Sequence, residues 1–263
     1  MGHTYLAIYG YTPAREAFPR AREFARKALD LDPTLAEPHM TLGLILFLQD
    51  HDIEGWEREQ KRALELNPTS TDAHRLNGLR LIYLSKFEEG IAEVKRALEI
   101  EPLSIAGNIN YAYGLFYSGR IDEGEAQTRK AIELSPEFWM SHYYLYNVYR
   151  YKRNYAEALE EVAKAKELRG EPEVAKLLRE SFAKSGWQGF LRYACANPQL
   201  KFYQYDLATF YAELGDKDNA FAKLNQSIED REQFIGFVNI DPFLKSLHDD
   251  PRYLEVLKKI GFR

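Results

Sequence analysis

Apolar and polar positions along this chain follow the rhythm of amphipathic helices, broken at regular intervals. Leucines and alanines recur three and four residues apart, the spacing of one face of a helix. The segments Ala28-Leu29-Asp30-Leu31-Asp32-Pro33, Ala63-Leu64-Glu65-Leu66-Asn67-Pro68, Ala97-Leu98-Glu99-Ile100-Glu101-Pro102 and Ala131-Ile132-Glu133-Leu134-Ser135-Pro136 are near copies, 35, 34 and 34 residues apart, and Ala165 follows Ala131 by another 34. Proline cannot continue a helix and keeps its predecessor out of helical conformation, so each copy predicts a helix end. Short polar runs fall midway through each unit, at Gln49-Asp50-His51-Asp52, Ser85-Lys86, Ser118-Gly119-Arg120 and Lys152-Arg153-Asn154. They predict tight turns between antiparallel helices.

Small residues recur where paired helices must approach: Gly43, Gly78 and Ala112 on the first helices, Gly90, Gly124 and Ala158 on the second. Leu46, Leu81, Leu115 and Tyr149 recur beside them as knobs for those notches. Such a pair cannot bury its apolar face alone, so successive pairs must stack. The expectation is an all-α, right-handed α-solenoid of about seven stacked antiparallel helix pairs with a C-terminal capping helix.

These residues resemble the tetratricopeptide repeat (TPR), in which a Leu-Gly pair is followed by a bulky residue, an alanine, an aromatic or aliphatic residue, a second alanine and a proline. Residues 71–168 give nearly three copies, and Leu42-Gly43 supplies the pair once more. Three departures stand out: Asn77 in place of leucine, Trp56 in a second helix read as one residue longer, and Tyr146 in a slot for glycine or alanine. The Tyr146 ring is expected to push two helices apart or to turn outward.

The organisation read from the repeats is continuous. Residues 1–172 form five TPR-like pairs, the first with an enlarged turn at Gly10-Tyr11-Thr12-Pro13. Residues 173–200 form a degenerate pair hinged at Gly186, and 201–263 a last TPR-like pair plus the cap. The run Leu214 to Phe221, with Asp241-Pro242-Phe243 and Asp250-Pro251-Arg252-Tyr253, is similar to the C-terminal TPR regions of bacterial multidomain signalling proteins. Those regions sit behind a serine/threonine kinase, a nucleotide cyclase or a winged-helix module. The resemblance implies a fragment or stand-alone relative without the effector, and the abrupt first repeat suggests excision from a longer chain.

Composition narrows the function classes. Of 263 residues, 35 are Lys or Arg and 40 Asp or Glu, a formal charge of −5 with no basic surplus for a nucleic-acid backbone. No window is apolar over the length of a membrane span, and the N-terminus lacks the pattern of a signal peptide. The single cysteine, Cys195, reads as a small core residue and leans toward a reducing compartment such as the cytoplasm. A periplasmic place stays open if the parent is membrane-anchored.

No catalytic centre, cofactor or metal site is expected. Phosphate, dinucleotide, zinc and calcium signatures are absent. Ser181-Phe182-Ala183-Lys184 fits a four-residue penicillin-binding string without its partner motifs and reads as a solvent-facing helix end. His39, His74 and His142 recur at one place in their units, but equivalent places lie about 10 Å apart, too far to share an ion. They read as half-buried residues sealing the start of each first helix. Glu88-Glu89 and Glu160-Glu161 read as solvated helix faces.

The expected function is that of a non-enzymatic protein-interaction module. In such a stack the first helices line the concave side. Their inward positions give Met40 and Phe47; Arg75, Leu79 and Tyr83; Ile109, Tyr113, Phe116 and Tyr117; and Tyr143, Asn147 and Arg150. This set is the expected groove for a protein or peptide segment, an apolar or aromatic one, because a carboxylate clamp is not laid out there. Nine of the 18 tyrosines fall between Tyr111 and Tyr155, which makes the middle of the groove its most adhesive part. The rival readings are self-association through Phe234-Ile235-Gly236-Phe237-Val238 and a small-molecule or glycan sensor using the same rings.

Overall fold

Each proline-terminated segment closes a helix. In the computed structural model, which describes residues 2, 12 and 14–262, helices end at Leu31, Leu66, Ile100 and Leu134, and the residue before each proline is the first to leave the helix. The helices are α1 (Ala14–Leu31), α2 (Ala36–Asp50), α3 (Ile53–Leu66), α4 (Thr71–Tyr83), α5 (Phe87–Ile100), α6 (Ile105–Tyr117), α7 (Ile121–Leu134), α8 (Trp139–Tyr151) and α9 (Tyr155–Leu168), followed by α10 (Pro172–Ala196), α11 (Gln204–Glu213), α12 (Lys217–Glu229) and α13 (Pro251–Lys259). Consecutive helices pack as pairs, α2 on α3 through α8 on α9 and again α11 on α12, and the described residues contain no strand. The expected first helix and, apart from Thr12, the Gly10–Pro13 turn lie outside the described residues; α1 is the second helix of that unit.

The turns within the pairs share one device. His51, Ser85, Gly119 and Arg153 each adopt a left-handed conformation, with φ of 56°, 61°, 86° and 63°. This reverses the chain after the first helix and lets Asp52, Lys86, Arg120 and Asn154 open the second. Between units, Ser70 and Ser104 accept hydrogen bonds from the Ala73 and Gly107 amides, capping α4 and α6. The one extra residue in the 35-residue interval belongs to α2, not to the second helix as expected: α3 has 14 residues, like α5, α7 and α9.

The small-residue notches explain the pairing. A Cβ on Gly78 would stand 2.7 Å from the Gly90 carbonyl oxygen, and one on Gly90 would stand 2.8 Å from the Gly78 carbonyl, so the backbones touch only because both lack one. One unit earlier, Trp56 takes the second-helix slot and its ring fills the space over Gly43. In the unit of α8 and α9 the large residue has moved to the first helix: Tyr146 faces the small Ala158 slot. The Tyr146 ring neither splays the helices nor turns outward. It is fully buried, 5.8 Å from the Tyr143 ring, and the charges around it are Arg150 of its own helix and Asp206 and Glu213 of α11.

Beyond α9 the geometry changes. Helix α10 breaks at Gly186 (φ 61°, ψ −167°), where the sequence predicts the hinge. After α12 the chain forms two short 3-10 turns, Gln233–Phe237 and Pro242–Leu247, before α13. Helix α13 packs on α12 with Tyr253 and Val256 buried, and Tyr253 donates to the Val238 carbonyl at 2.6 Å. The end of the chain comes back to the second unit, where a Cβ on Gly261 would lie 3.4 Å from Ile53. The capping element therefore closes the superhelix onto itself.

Candidate functional site

The two 3-10 turns lie along the inner wall formed by the first helices. Phe237 inserts among Tyr83, Tyr113 and Tyr117, with ring centroids at 4.7, 5.0 and 5.0 Å. Phe234 stacks on Tyr143 at 5.2 Å. Gly236 passes so close to the wall that a Cβ there would stand 2.9 Å from the rings of both Phe47 and Tyr83. Asn239 then donates to the Tyr83 carbonyl and the Ser85 hydroxyl.

The concave face is thus filled by the chain's own segment, and the expectation of an open aromatic groove is corrected. Met40, Phe47, Arg75, Tyr83, Ile109, Tyr113, Phe116, Tyr143 and Arg150 are all buried; Leu79, Tyr117 and Asn147 are half-buried. The structure does bring them to one wall. The physical reason for their burial is that apolar rings on a concave surface gain most from an apolar cover, and Phe234, Ile235, Phe237 and Val238 supply it. Each of those four is at most 4% exposed, so this segment is not available to pair with a second copy. At about 1.5–3 kcal/mol for each fully buried side chain, four such side chains make spontaneous release of the segment rare.

Beside the rings runs a polar seam between α8 and α11. Tyr143 donates to Asp206, and seven residues on Arg150 binds Glu213 through Nε and Nη2 at 3.0 and 2.9 Å. Arg150 also donates to the Thr209 hydroxyl at 2.9 Å and lies 3.9 Å from the Phe243 ring centroid. The Trp187 indole holds the other Glu213 oxygen at 2.6 Å. Asp206 and Glu213 carry no repeat signature, and Phe234 and Phe237, expected in a self-association segment, cover the chain's own wall instead. A signal existed: Asp206 and Glu213 repeat the seven-residue spacing of Tyr143 and Arg150, and Phe234 to Val238 is an apolar run outside any helix pair.

Burial pushes the Asp206 carboxyl up to about 6, against the opposing pull of Tyr143, Lys166, the Tyr203 amide and Arg150. Glu232 and Asp241, also turned inward, are raised by burial as well. A carboxyl raised on folding stabilises the native state fully below its unfolded value near 4, and that contribution is lost as pH rises through about 6. Urea unfolding of the natural chain and of Asp206→Asn should therefore diverge between pH 4 and 7. The natural chain is expected to lose about 3 kcal/mol relative to the variant over that window. A difference independent of pH would contradict the assignment.

The histidines form a structural ladder. His39, His74 and His142 bond through Nδ1 to Glu59, Glu93 and Glu161 at 2.7, 2.8 and 2.7 Å. His74 and His142 also reach the carbonyls of Pro68 and Pro136. In the unit between, Asn108 and Gln127 hold the same two places, and Asn108 donates to the Pro102 carbonyl. Each rung ties a first helix to its second helix, and two of the three histidine rungs and the Asn108 rung also grip the proline turn before the unit. Among the described residues no group of three or more His, Cys, Asp or Glu side chains is placed to hold a metal, and no helix is long and apolar enough to cross a membrane. Ser181 is buried within α10 rather than solvent-facing, its hydroxyl donating to the Leu178 carbonyl. Burial pushes the half-buried Cys195 thiol up to about 11.

Among the hollows around the filled wall, three border the Gln233–Phe237 and Pro242–Leu247 turns. One lies deep between α2, α4, α6 and the Gln233–Phe237 turn. A narrow one separates Asn147 and Tyr117 from α11. The third is an open cleft where Arg150, Tyr151, Arg153 and Tyr155 meet Gln188 of α10, the end of α11 and the Pro242–Leu247 turn, with about 1070 Å³ of empty space, mouth included.

No family model matches the chain, and no curated protein matches it. Among solved structures it is similar to a chain of the APC/C hetero-tetramer Cut9-Hcn1, with 13% identity, TM-score 0.60, and coverage of 92% of this chain and 46% of that one. It is also similar to TTC0263, a thermophilic TPR protein of Thermus thermophilus (15% identity, TM-score 0.49, 85% of this chain and 99% of that one), and to Pseudomonas aeruginosa pilF (16%, 0.48, 98% and 96%). At these identities the likeness is one of fold: a TPR-type solenoid of stacked helix pairs.

Proposed function

We propose that this protein is a non-enzymatic interaction module and that it holds a segment of a partner protein in the open cleft at the end of its concave wall. The observation that carries the reading is that, among the described residues, a cleft stays open beside Arg150 and Tyr151 at the end of a first helix. Tyr151 is 45% exposed there, and Arg153, exposed on its left-handed turn, makes no ion pair within the described residues. Tyr155 is stacked on Trp187 at 4.6 Å, which makes a rigid aromatic floor. The partner chemistry that fits is an extended segment with an aromatic or aliphatic anchor for Tyr151 and Phe243 and an acidic residue for Arg153. Because the receiving wall is already ordered by the filled groove, little conformational entropy is lost on its side. The resemblance of residues 214–221 and 241–253 to sensor-like regions supports placing the module in a bacterial signalling system.

Site-specific photo-crosslinking in the source cell tests this. A benzophenone amino acid at position 151 or 188 is expected to trap a protein that the same group at Lys130, on an exposed second-helix face, does not trap. Addition of Arg153→Glu should abolish the product. Equal products from the cleft and from position 130 would refute the cleft as the binding surface.

A further inference from the structure

Two surface features are not explained by the fold. The first is the turn between α5 and α6. In the turns after α1 and α3 the residue before the proline holds the residue after it: Asp32 accepts from the Thr34 hydroxyl at 2.6 Å and Asn67 from Thr69 at 3.1 Å. Between α5 and α6 both places differ, with Glu101 before the proline and Leu103 after it. Leu103 is 71% exposed and Ile100, the last residue of α5, is 50% exposed. The Glu99 and Glu101 carboxylates are exposed and make no ion pair within the described residues, since Arg96, one helical turn back, is engaged by Glu93. The second feature is Arg153, which lines the open cleft. The equivalent left-handed place one unit earlier holds Gly119, which adopts it without the strain that a Cβ brings. Arg153 carries that strain and is exposed and unpaired within the described residues. Lys245, exposed on the Pro242–Leu247 turn that borders the cleft, is unpaired there too, whereas the cleft's carboxylate, Glu213, is already held by Arg150 and Trp187.

An exposed aliphatic turn flanked by free carboxylates and an aromatic cleft flanked by free cations are complements. We infer that the segment held in the open cleft is the turn at residues 99–103 of a second copy of this chain. The inference rests on the cleft reading above and names its occupant. Ile100 and Leu103 supply the anchors for Tyr151 and Phe243, and Glu99 and Glu101 supply the charge for Arg153 and Lys245. The two surfaces lie on opposite edges of the stack. Tyr151 ends a first helix, where the chain turns within a pair; Ile100 ends a second helix, where it turns between units. One copy therefore cannot fill its own cleft, and a contact between unlike surfaces repeats head to tail instead of closing at two copies. A five-residue turn covers less than the total of about 1,200 Å² typical of a stable interface, so each contact is weak and the assembly grows with concentration. Its charged part is screened by salt.

Sedimentation velocity of the purified chain at low salt, from about 1 μM to about 1 mM, tests the inference. The average mass is expected to rise past that of a dimer. Leu103→Asp, which spoils the turn, and Arg153→Glu, which spoils the cleft, should each weaken association at least tenfold with the urea unfolding transition unmoved. Mixed together, the two variants keep one sound contact, the turn of Arg153→Glu in the cleft of Leu103→Asp, and the mass should stop at a dimer. A benzophenone amino acid at position 188 of the purified chain is expected to crosslink to the peptide that spans residues 99–103. A chain that stays monomeric throughout, or that associates equally well in either variant, would overturn the inference. The cleft reading fails separately. A monomer that still traps a different protein at position 151 in the cell refutes the second copy as occupant and keeps the cleft, whereas association insensitive to Arg153→Glu with nothing trapped in the cell refutes both.

Discussion

Replacing Phe237 with alanine is expected to lower the free energy of unfolding by about 3–5 kcal/mol, the range for a large aromatic removed from a packed interior. The ring is 3% exposed and touches three tyrosines from two successive first helices, so the cavity left behind cannot collapse without moving α4 or α6. Leu103→Ala provides the contrast: that side chain is 71% exposed on a turn and its loss should stay within about 0.5 kcal/mol. Urea unfolding followed by far-UV circular dichroism measures both. If Phe237→Ala behaved like Leu103→Ala, the segment would not be part of the folded interior, and the concave face would be an open groove after all.

Arg150→Ala is expected to cost a similar amount, about 3–5 kcal/mol, for a different reason. The guanidinium is buried, and its removal empties its site and takes the charge partner from the partly buried Glu213 carboxylate and a donor from the buried Thr209 hydroxyl. The double variant Arg150→Met with Glu213→Leu should recover a large part of the loss, because two apolar side chains of similar length remove both desolvated charges together. A double-mutant cycle in denaturant reads this as a coupling well above the scatter of independent sites. Additive losses would mean that the seam between α8 and α11 does not act as a unit. Substituting Tyr113, Tyr143 and Arg150 together, which an open-groove reading would recommend as a binding test, would unfold the closed state and report on stability.

The helix pairs were legible because their causes are local. A proline after Asp32, Asn67, Glu101 or Ser135 ends a helix whatever lies around it, and a polar run with one left-handed residue turns the chain back. The Gly78 and Gly90 notches were legible too, since a missing side chain at a fixed register has few other uses. Positions on the first helices could be assigned to faces because these helices repeat their register every unit. Tyr146 was misjudged: its slot could be read from the repeat, but the room made for it near α11 could not.

The sequence by itself determined the solenoid and its turns, both consequences of interactions within one repeat or between neighbours. Only the tertiary structure decided what covers the concave wall. Phe237 lies 154 residues from Tyr83 along the chain and 124 from Tyr113, and no pattern with the period of a helix or of a repeat encodes a contact at that separation. An aromatic surface looks the same in sequence whether a partner or the chain's own end buries it. The choice is made by a short apolar run whose rings fit the wall, by a glycine that lets the backbone pass close, and by buried charges that pair across the gap.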